Sequence, residues 1–366
     1  MRICMIVEDY PQNGGGGGIF VQELSKELIK NNEIVVISRG KKDRQQKEGK
    51  ITIMRFAGSR VIFLLKAVNY LIKLKPFDIY HAHGVFCGLI AKKVQMFKKK
   101  PIILHVHGFR NEEITGFVKY NIQNGLIKLD YDRIISVDEE SRKKMIELGI
   151  PKNRITTIPC GINTSKFKPP KKKKNNKNKT FLFVGRLEKV KNIGLLLEAF
   201  KELKCEGLEP VLWIVGTGSL EWKLKNYCKK NKLDKVKFFG EILHEKLPVV
   251  YQKADFFVLP SKSEGMPLSL LEGIACGLPL IVSDIPNLRE IINKSKSGLT
   301  FKNGDLEDLK EKIKKLISAN KKEIDKLKKN GRKYVENNFS WENTEEKIDG
   351  IYDRIITDFL SSNHKE

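Results

Sequence analysis

The stretch from Leu259 to Ser283 constrains this chain more than any other. It follows the run Phe256-Phe257-Val258-Leu259, which has no polar alternation and so fits a strand buried on both faces of a parallel sheet. A turn with Gly265 and Pro267 comes next, then Leu268 to Ala275 at helical spacing, then Gly277-Leu278-Pro279 as a stop. Pro267 suits the first helical position, where its missing N–H is not needed. This spacing sets Glu264 just before the helix and Glu272 within it, two turns further on from Glu264. The free amides of a helix start favour an anion, while carboxylates accept hydroxyl protons. Together they make a site suited to a ligand that carries both phosphate and hydroxyls, such as a sugar nucleotide.

Strand and helix patterns alternate through both halves, so each half reads as a doubly wound α/β sheet. At 366 residues and 40% hydrophobic, the chain can build two domains with their own cores. The six cysteines are scattered, without a C-x-x-C pair, and read as buried small hydrophobes in a reducing compartment. The N-terminal Met1 to Tyr10 is one short strand, too short for a signal h-region. No apolar run reaches membrane-spanning length, so a cytoplasmic protein, soluble or peripheral on the inner face of the membrane, is expected.

The formal net charge is +25. Part of the excess lies in Lys168 to Lys179, which holds seven lysines and no apolar anchor and reads as a solvated linker. Residues 51–100 hold ten basic groups against one acid, Asp78. Such a balance favours anionic partners, whether nucleotide, nucleic acid or membrane surface. The basic-apolar helices expected over Val61 to Leu74 and Gly88 to Lys100 could press on an anionic bilayer or simply pack on the sheet.

In the first half, the strand Arg2 to Val7 leads into the run Gly14 to Gly18 and an amphipathic helix from Phe20 to Leu28. Strand, glycine loop and helix make a phosphate cradle. A dinucleotide fingerprint would want G-x-G-x-x-G and an acid after the second strand, whereas Ile34 to Ser38 is followed by Arg39. Asp78 to Gly84 and Pro101 to Phe109 are strands ending in histidine and glycine, where an open parallel sheet meets its ligands. The alternation of His105 and His107 is taken to set them on opposite faces. His81, His83 and His105 are read as structural, and a zinc site as lacking enough converging ligands.

In the second half, Thr180 to Val184 is a strand followed by Gly185-Arg186-Leu187-Glu188-Lys189-Val190-Lys191-Asn192. Val211 to Val215 with Gly216-Thr217-Gly218, and Val236 to Ile242, continue the pattern. Amphipathic helices are expected over Leu306 to Ile317 and Trp341 to Phe359.

The sequence Glu264-Gly265-Met266-Pro267-Leu268-Ser269-Leu270-Leu271-Glu272 resembles the E-x7-E motif of retaining GT-B glycosyltransferases, the group 1 or family 4 type. The stretch from Gly185 to Lys191, the glycine loop, the H-V-H-G of His105 to Gly108 and Ile158 to Pro169 resemble the same family, in the expected order. The resemblance implies a GT-B fold, two doubly wound Rossmann-like domains facing across a cleft. The acceptor-binding domain would be 1–167, joined by a C-terminal helix 341–366. A linker would span 168–179, and the nucleotide-sugar domain 180–340.

By this resemblance Glu264 contacts donor hydroxyls, Glu272 holds the ribose, and the amides near Gly265, Met266 and Leu268 touch sugar and diphosphate. Arg186 and Lys191, beside Gly185, meet the diphosphate, and two fixed cations could stabilise its growing charge without a metal. Asn192 stands where the family has glycine. Gly15 and Gly16 reach the diphosphate from the first domain, Ile242 marks the base-binding turn, and His107 lies near the reacting carbon. The chain is taken to lack a D-x-D pair, in line with a metal-independent site that needs no cofactor beyond its nucleotide-sugar co-substrate.

The resulting expectation is a retaining hexosyltransferase acting on a hydroxyl acceptor, a lipid-linked or polysaccharide precursor, by front-face substitution. No specific nucleic acid is expected. A phosphorylase or epimerase on the same scaffold stays open. So does a basic module that binds membrane or nucleic acid, whose binding would fall with salt and ignore Glu272.

Overall fold

The computed structural model describes residues 1–11, 16–108, 117–171 and 178–363. The chain divides into two compact units. The first comprises Met1–Gly161 with Trp341–Glu366, the second Ile162–Ser340.

The first unit carries an eight-stranded sheet. Its strands are β1 (Arg2–Asp9), β2 (Glu33–Gly40), β3 (Arg44–Glu48), β4 (Ile51–Ala57), β5 (Ile79–His83), β6 (Ile102–Val106), β7 (Arg133–Ser136) and β8 (Ile155–Thr157). They lie in the order β3-β4-β2-β1-β5-β6-β7-β8. All pairs are parallel except β3 with β4, a hairpin at the edge closed at Gly49 with φ +61°. The central strands are buried along their length because helices cover both faces, hence their unbroken Ile and Val runs.

The second unit has β9 (Thr180–Val184), β10 (Val211–Val215), β11 (Val236–Gly240), β12 (Phe256–Leu259), β13 (Leu280–Ser283) and β14 (Gly298–Phe301), all parallel. Their order is β11-β10-β9-β12-β13-β14. Counted from β9, this is the doubly wound order 3-2-1-4-5-6. Strand order reverses beside β9 and β12 here, and beside β1 and β5 in the first unit. Crevices outside the carboxyl ends at such reversals are where open α/β sheets bind ligands.

The crossing points differ from the boundary expected at residue 167. Residues 162–167 belong to the second unit because its groups bind them. Ile162 pairs with Ser340. The Arg332 guanidinium donates to the carbonyls of Thr164, Phe167 and Ala275 at 2.8, 2.6 and 2.7 Å. Phe167 is fully buried against Tyr251 and His244. Of the expected linker, 172–177 lie outside the described residues. Lys168 is anchored through its carbonyl to Gln252, so the start of that segment is held rather than loose. The helix Trp341–Asn363 forms part of the first unit, where it packs on the helix Gly16–Leu28. All six cysteines are free thiols, buried except Cys205.

Candidate active site

In the second unit, β12 ends at Leu259 and the helix Leu268–Ala275 begins after a short loop. Pro267 is the residue before that helix rather than its first: at φ −73° and ψ 113° it is extended and its carbonyl accepts from Leu270 at 3.0 Å. Lys191, at the end of a short 3-10 turn after β9, reaches across the strand reversal to Glu264. Its Nζ lies 2.5 Å from Glu264 Oε1, and the two side chains are only 14% and 10% exposed. The two loops are also stitched by the Lys262 amide to the Val190 carbonyl at 2.8 Å. Asn192, at φ 51°, carries the left-handed turn that a glycine would otherwise take.

Asn287 was not singled out in the sequence. Its side-chain amide donates to the carbonyls of Glu264 and Gly265 at 2.7 and 3.1 Å. A trans peptide points its N–H opposite its C=O. Asn287 therefore turns the amides of Gly265 and Met266 away from itself, with that of Leu268 one step on at the helix start. These amides, with the first turn of the helix, form a ready oxyanion seat.

Glu272 is 2% exposed. Its Oε2 accepts from the Tyr251 hydroxyl at 2.7 Å, and its Oε1 lies 2.6 Å from His244 Nε2. Burial and the neighbouring carboxylate hold the Tyr251 hydroxyl well above its ordinary pKa, so it stays a donor. Each carboxylate oxygen keeps a further lone pair for a ligand hydroxyl. His244 and Tyr251 escaped the sequence reading. The signal was there in the two polar aromatics flanking Leu247-Pro248-Val249-Val250, but only tertiary packing sets both on Glu272.

Gly185 follows β9; a Cβ there would lie 3.2 Å from Phe183 Cζ and 3.7 Å from Lys191 Cε. Gly216, at φ +125°, is obligatory: a Cβ there would sit 2.1 Å from the Gly185 carbonyl oxygen. Ile242 lies half-buried just past β11. Arg186 is exposed and has no ion pair among the described residues. The second unit thus brings Gly185, Lys191, Glu264, Gly265, Met266 and Leu268 to one strand reversal, with Arg186 as an unspent cation beside them.

In the first unit, Gly15 lies outside the described residues. Gly16 opens the helix Gly16–Leu28 and is exposed. The glycine that meets the histidines is Gly17, whose Cβ position is 3.7 Å from the His107 ring. Gly18 is fixed by a Cβ position 1.9 Å from the Asp9 carbonyl oxygen.

Four histidines gather where β5 and β6 end. His105 and His107 do not face opposite sides. Their rings stack at 4.5 Å and 5°, because residues two apart on a strand share a face. His83 Nδ1 lies 3.0 Å from His107 Nε2, His105 Nδ1 lies 3.3 Å from His81 Nε2, and His81 Nδ1 lies 2.6 Å from the Tyr352 hydroxyl. Phe20 covers His83, His105 and His107, with Trp341 behind it. Burial pushes His81 down to about 3 and His107 to about 4, and holds His83 and His105 well below the ordinary range. All four rings are neutral at pH 7.

His81, His83 and His105 bring one ring nitrogen each within 4.8 Å of one another. That spacing could serve a transition metal. Both nitrogens of His81 are already engaged by Tyr352 and His105, however, and no carboxylate joins the group among the described residues.

Asp130-Tyr131-Asp132 is, contrary to expectation, a D-x-D sequence. It precedes β7 at the end of the sheet away from the histidines. Asp132 Oδ2 accepts the Ile102 amide at 2.8 Å and Asp130 pairs with Arg154, so both carboxylates serve the fold.

Two doubly wound, mostly parallel sheets, with ligand-suited amides and the Lys191–Glu264 pair at the strand reversal of the second, fit the GT-B class of α/β protein. Comparison with known sequences goes further. A family profile described as glycosyl transferases group 1 matches residues 164–334, and one described as glycosyltransferase family 4 matches residues 14–166. An Escherichia coli UDP-Gal:alpha-D-GlcNAc-diphosphoundecaprenol alpha-1,3-galactosyltransferase is 30% identical, over 77% of this chain and 76% of its own. An uncharacterized glycosyltransferase of Methanocaldococcus jannaschii is 28% identical over 97% of this chain and 99% of its own. Among solved structures, sucrose-phosphate synthase from Thermosynechococcus elongatus superposes with a TM-score of 0.86 at 20% identity, covering 97% of this chain and 99% of that one. Anabaena HepE in complex with UDP-glucose superposes at 0.79 and 14% identity, over 99% and 100%. The chain belongs to the group 1 glycosyltransferases.

Proposed function

We propose that this enzyme moves a hexosyl group from a nucleotide sugar to a hydroxyl acceptor with retention of anomeric configuration. The observation that carries the reading is the buried Lys191–Glu264 pair set beside the Gly265 and Met266 amides, with Glu272 on the helix that follows them. Glu264 accepts from donor hydroxyls, Glu272 from the ribose, and Ile242 borders the base. Gly185, Arg186, Lys191 and the Gly265, Met266 and Leu268 amides meet the diphosphate. The donor C1–O bond breaks and the new C1–O bond forms on the same face. The acceptor proton passes to the departing diphosphate oxygen, whose charge Lys191 and Arg186 stabilise without a metal. His107 hydrogen-bonds an oxygen of the sugar or of the incoming hydroxyl. The lipid-linked acceptor in the name of the E. coli relative favours an acceptor of that kind here.

Nucleotide sugars should stabilise the folded protein by mass action, by about 2.7 kcal/mol at a hundredfold excess over Kd, and so raise the melting temperature. UDP-, GDP- and ADP-sugars tested in parallel would name the base. The shift should vanish in Glu272→Ala. A well-folded protein that none of the three stabilises would overturn the donor site, and an inverted product anomer by NMR would overturn retention.

A second reading concerns the first unit's surface. The helices Arg60–Lys73 and Val85–Lys98 pack together and expose Val61, Leu65, Met96 and Phe97 at 66, 61, 70 and 66%. Among the described residues no helix is long and apolar enough to cross a membrane. These exposed apolar side chains suit peripheral contact with an anionic bilayer. Vesicles containing phosphatidylglycerol should therefore carry the protein down on centrifugation, and Leu65→Glu with Phe97→Glu should weaken the binding about tenfold. Equal binding to phosphatidylcholine alone would count against it.

A further inference from the structure

We propose that His83 is a positioning residue for His107: its Nδ1–H donates to His107 Nε2 and leaves Nδ1–H as the one donor His107 can offer a ligand oxygen. The role of His107 toward substrate rests on the function proposed above, but the hydrogen-bond assignment does not.

The assignment follows from two orphaned atoms. Among the described residues His83 Nε2 and His105 Nε2 are buried without a partner, in residues 4% and 0% exposed. A neutral imidazole carries one N–H and one bare nitrogen. If His107 Nε2–H donated to His83 Nδ1, His83 would carry its own proton on Nε2, a buried N–H with nothing to accept it. Orphaned buried N–H groups are rarer and costlier than orphaned acceptors. The bare nitrogen must therefore be Nε2, and the proton of His83 sits on Nδ1, 3.0 Å from His107 Nε2.

The same argument runs through the neighbouring pair. His105 has its orphan at Nε2, so its Nδ1–H donates to His81 Nε2 at 3.3 Å, and His81 Nδ1–H then donates to Tyr352 at 2.6 Å. All four rings take the Nδ1–H form. His107 is the one whose Nδ1 has no partner among the described residues, and it is the half-buried member, beside Gly17. It therefore meets an oxygen as a donor. With Nε2 held by His83, it has no free basic nitrogen. The proton that leaves the acceptor hydroxyl has to go elsewhere, which fits its transfer to the departing phosphate.

Two measurements test this. Long-range proton–nitrogen NMR of histidine-labelled full-length protein reads the tautomers directly, whatever the reaction. Nδ1–H on His107 and His83 is expected, with His107 relaxing to a mixture in His83→Leu. An Nε2–H signal from His107 in the unsubstituted protein would overturn the proposal. Kinetics then ask whether His83 acts through His107. His83→Leu should lower kcat about tenfold with little change in donor KM. His83→Asn, whose amide nitrogen takes the Nδ1 place, should recover most of the loss. His83→Leu combined with His107→Ala should be no slower than His107→Ala alone, whereas multiplied losses would mean that His83 works independently. If His107→Ala transfers sugar at the ordinary rate, the role given to His107 falls, and the tautomer spectrum still decides the hydrogen bond.

Discussion

Lys191→Ala should slow sugar transfer at saturating donor by about 10²–10³-fold, the scale seen when one fixed group that stabilises developing charge is removed. The ammonium is nearly dry, and Glu264 holds it 2.5 Å away. In the proposed role, that pairing would fix the charge in place before the donor arrives, so that little reorganisation is needed when the diphosphate leaves. Glu264 has the converse dependence, since removing Lys191 strands a carboxylate that is only 10% exposed. Part of the single variant's loss could then come from folding. Lys191→Ala with Glu264→Gln removes both charges, and melting curves of the two variants separate stability from rate. If Lys191→Ala keeps its rate within about threefold of the unsubstituted enzyme, the pair is a fold element and the leaving-group role falls.

The histidine cluster should make the first unit markedly acid-sensitive. Its rings are buried neutral, with His81 pushed down to about 3, His107 to about 4, and His83 and His105 well below the ordinary range. In the unfolded chain each titrates near its ordinary value of about 6.5. Below that value the unfolded state binds protons that the folded state does not. The stability of neutral burial is therefore fully present above about pH 6.5 and is lost as pH falls toward the folded values. Each such proton contributes about 1.4 kcal/mol per pH unit, so four approach about 5 kcal/mol per unit near pH 5.5. Typical domain stability is only about 5–15 kcal/mol, so one pH unit removes much of it. Urea unfolding between about pH 5 and about pH 7.5 measures the slope before most carboxylates titrate. His81→Phe with His105→Leu should roughly halve it. A slope below about one proton over that range would mean that the rings are not neutral in the fold.

Much of the fold was legible because its signals are local. The unbroken apolar run at β12 and the periodic helix after it came out at Phe256–Leu259 and Leu268–Ala275, the spans that form. The E-x7-E spacing likewise placed Glu264 at the loop and Glu272 inside the helix. The partners that hold these residues were not legible. Asn287 reaches Glu264 from another βα turn, and Tyr251 and His244 reach Glu272 from a third, so no spacing announces them. The chain crossing at 161/162 was hidden for the same reason, because Arg332 claims residues 164–167 from far along the sequence. The face of His107 was misjudged although the period of a strand fixes it. The convergence of four histidines needed the parallel register of β5 with β6, His83 beside His105, which local pattern does not encode.

The last helix of the chain also bears on how the molecule is made. Tyr352 closes the line of hydrogen bonds through His81, and Trp341 backs Phe20 over the other rings. Both lie beyond Ser340, whereas the second unit is one uninterrupted span. During synthesis the sheet of the first unit therefore emerges ahead of the second unit but must wait, with its histidine cluster unsealed, until the helix Trp341–Asn363 has been made. The later-made second unit can close before it. A stop codon or a fusion placed just after Ser340 would spare the contiguous unit and leave the earlier-made one incomplete.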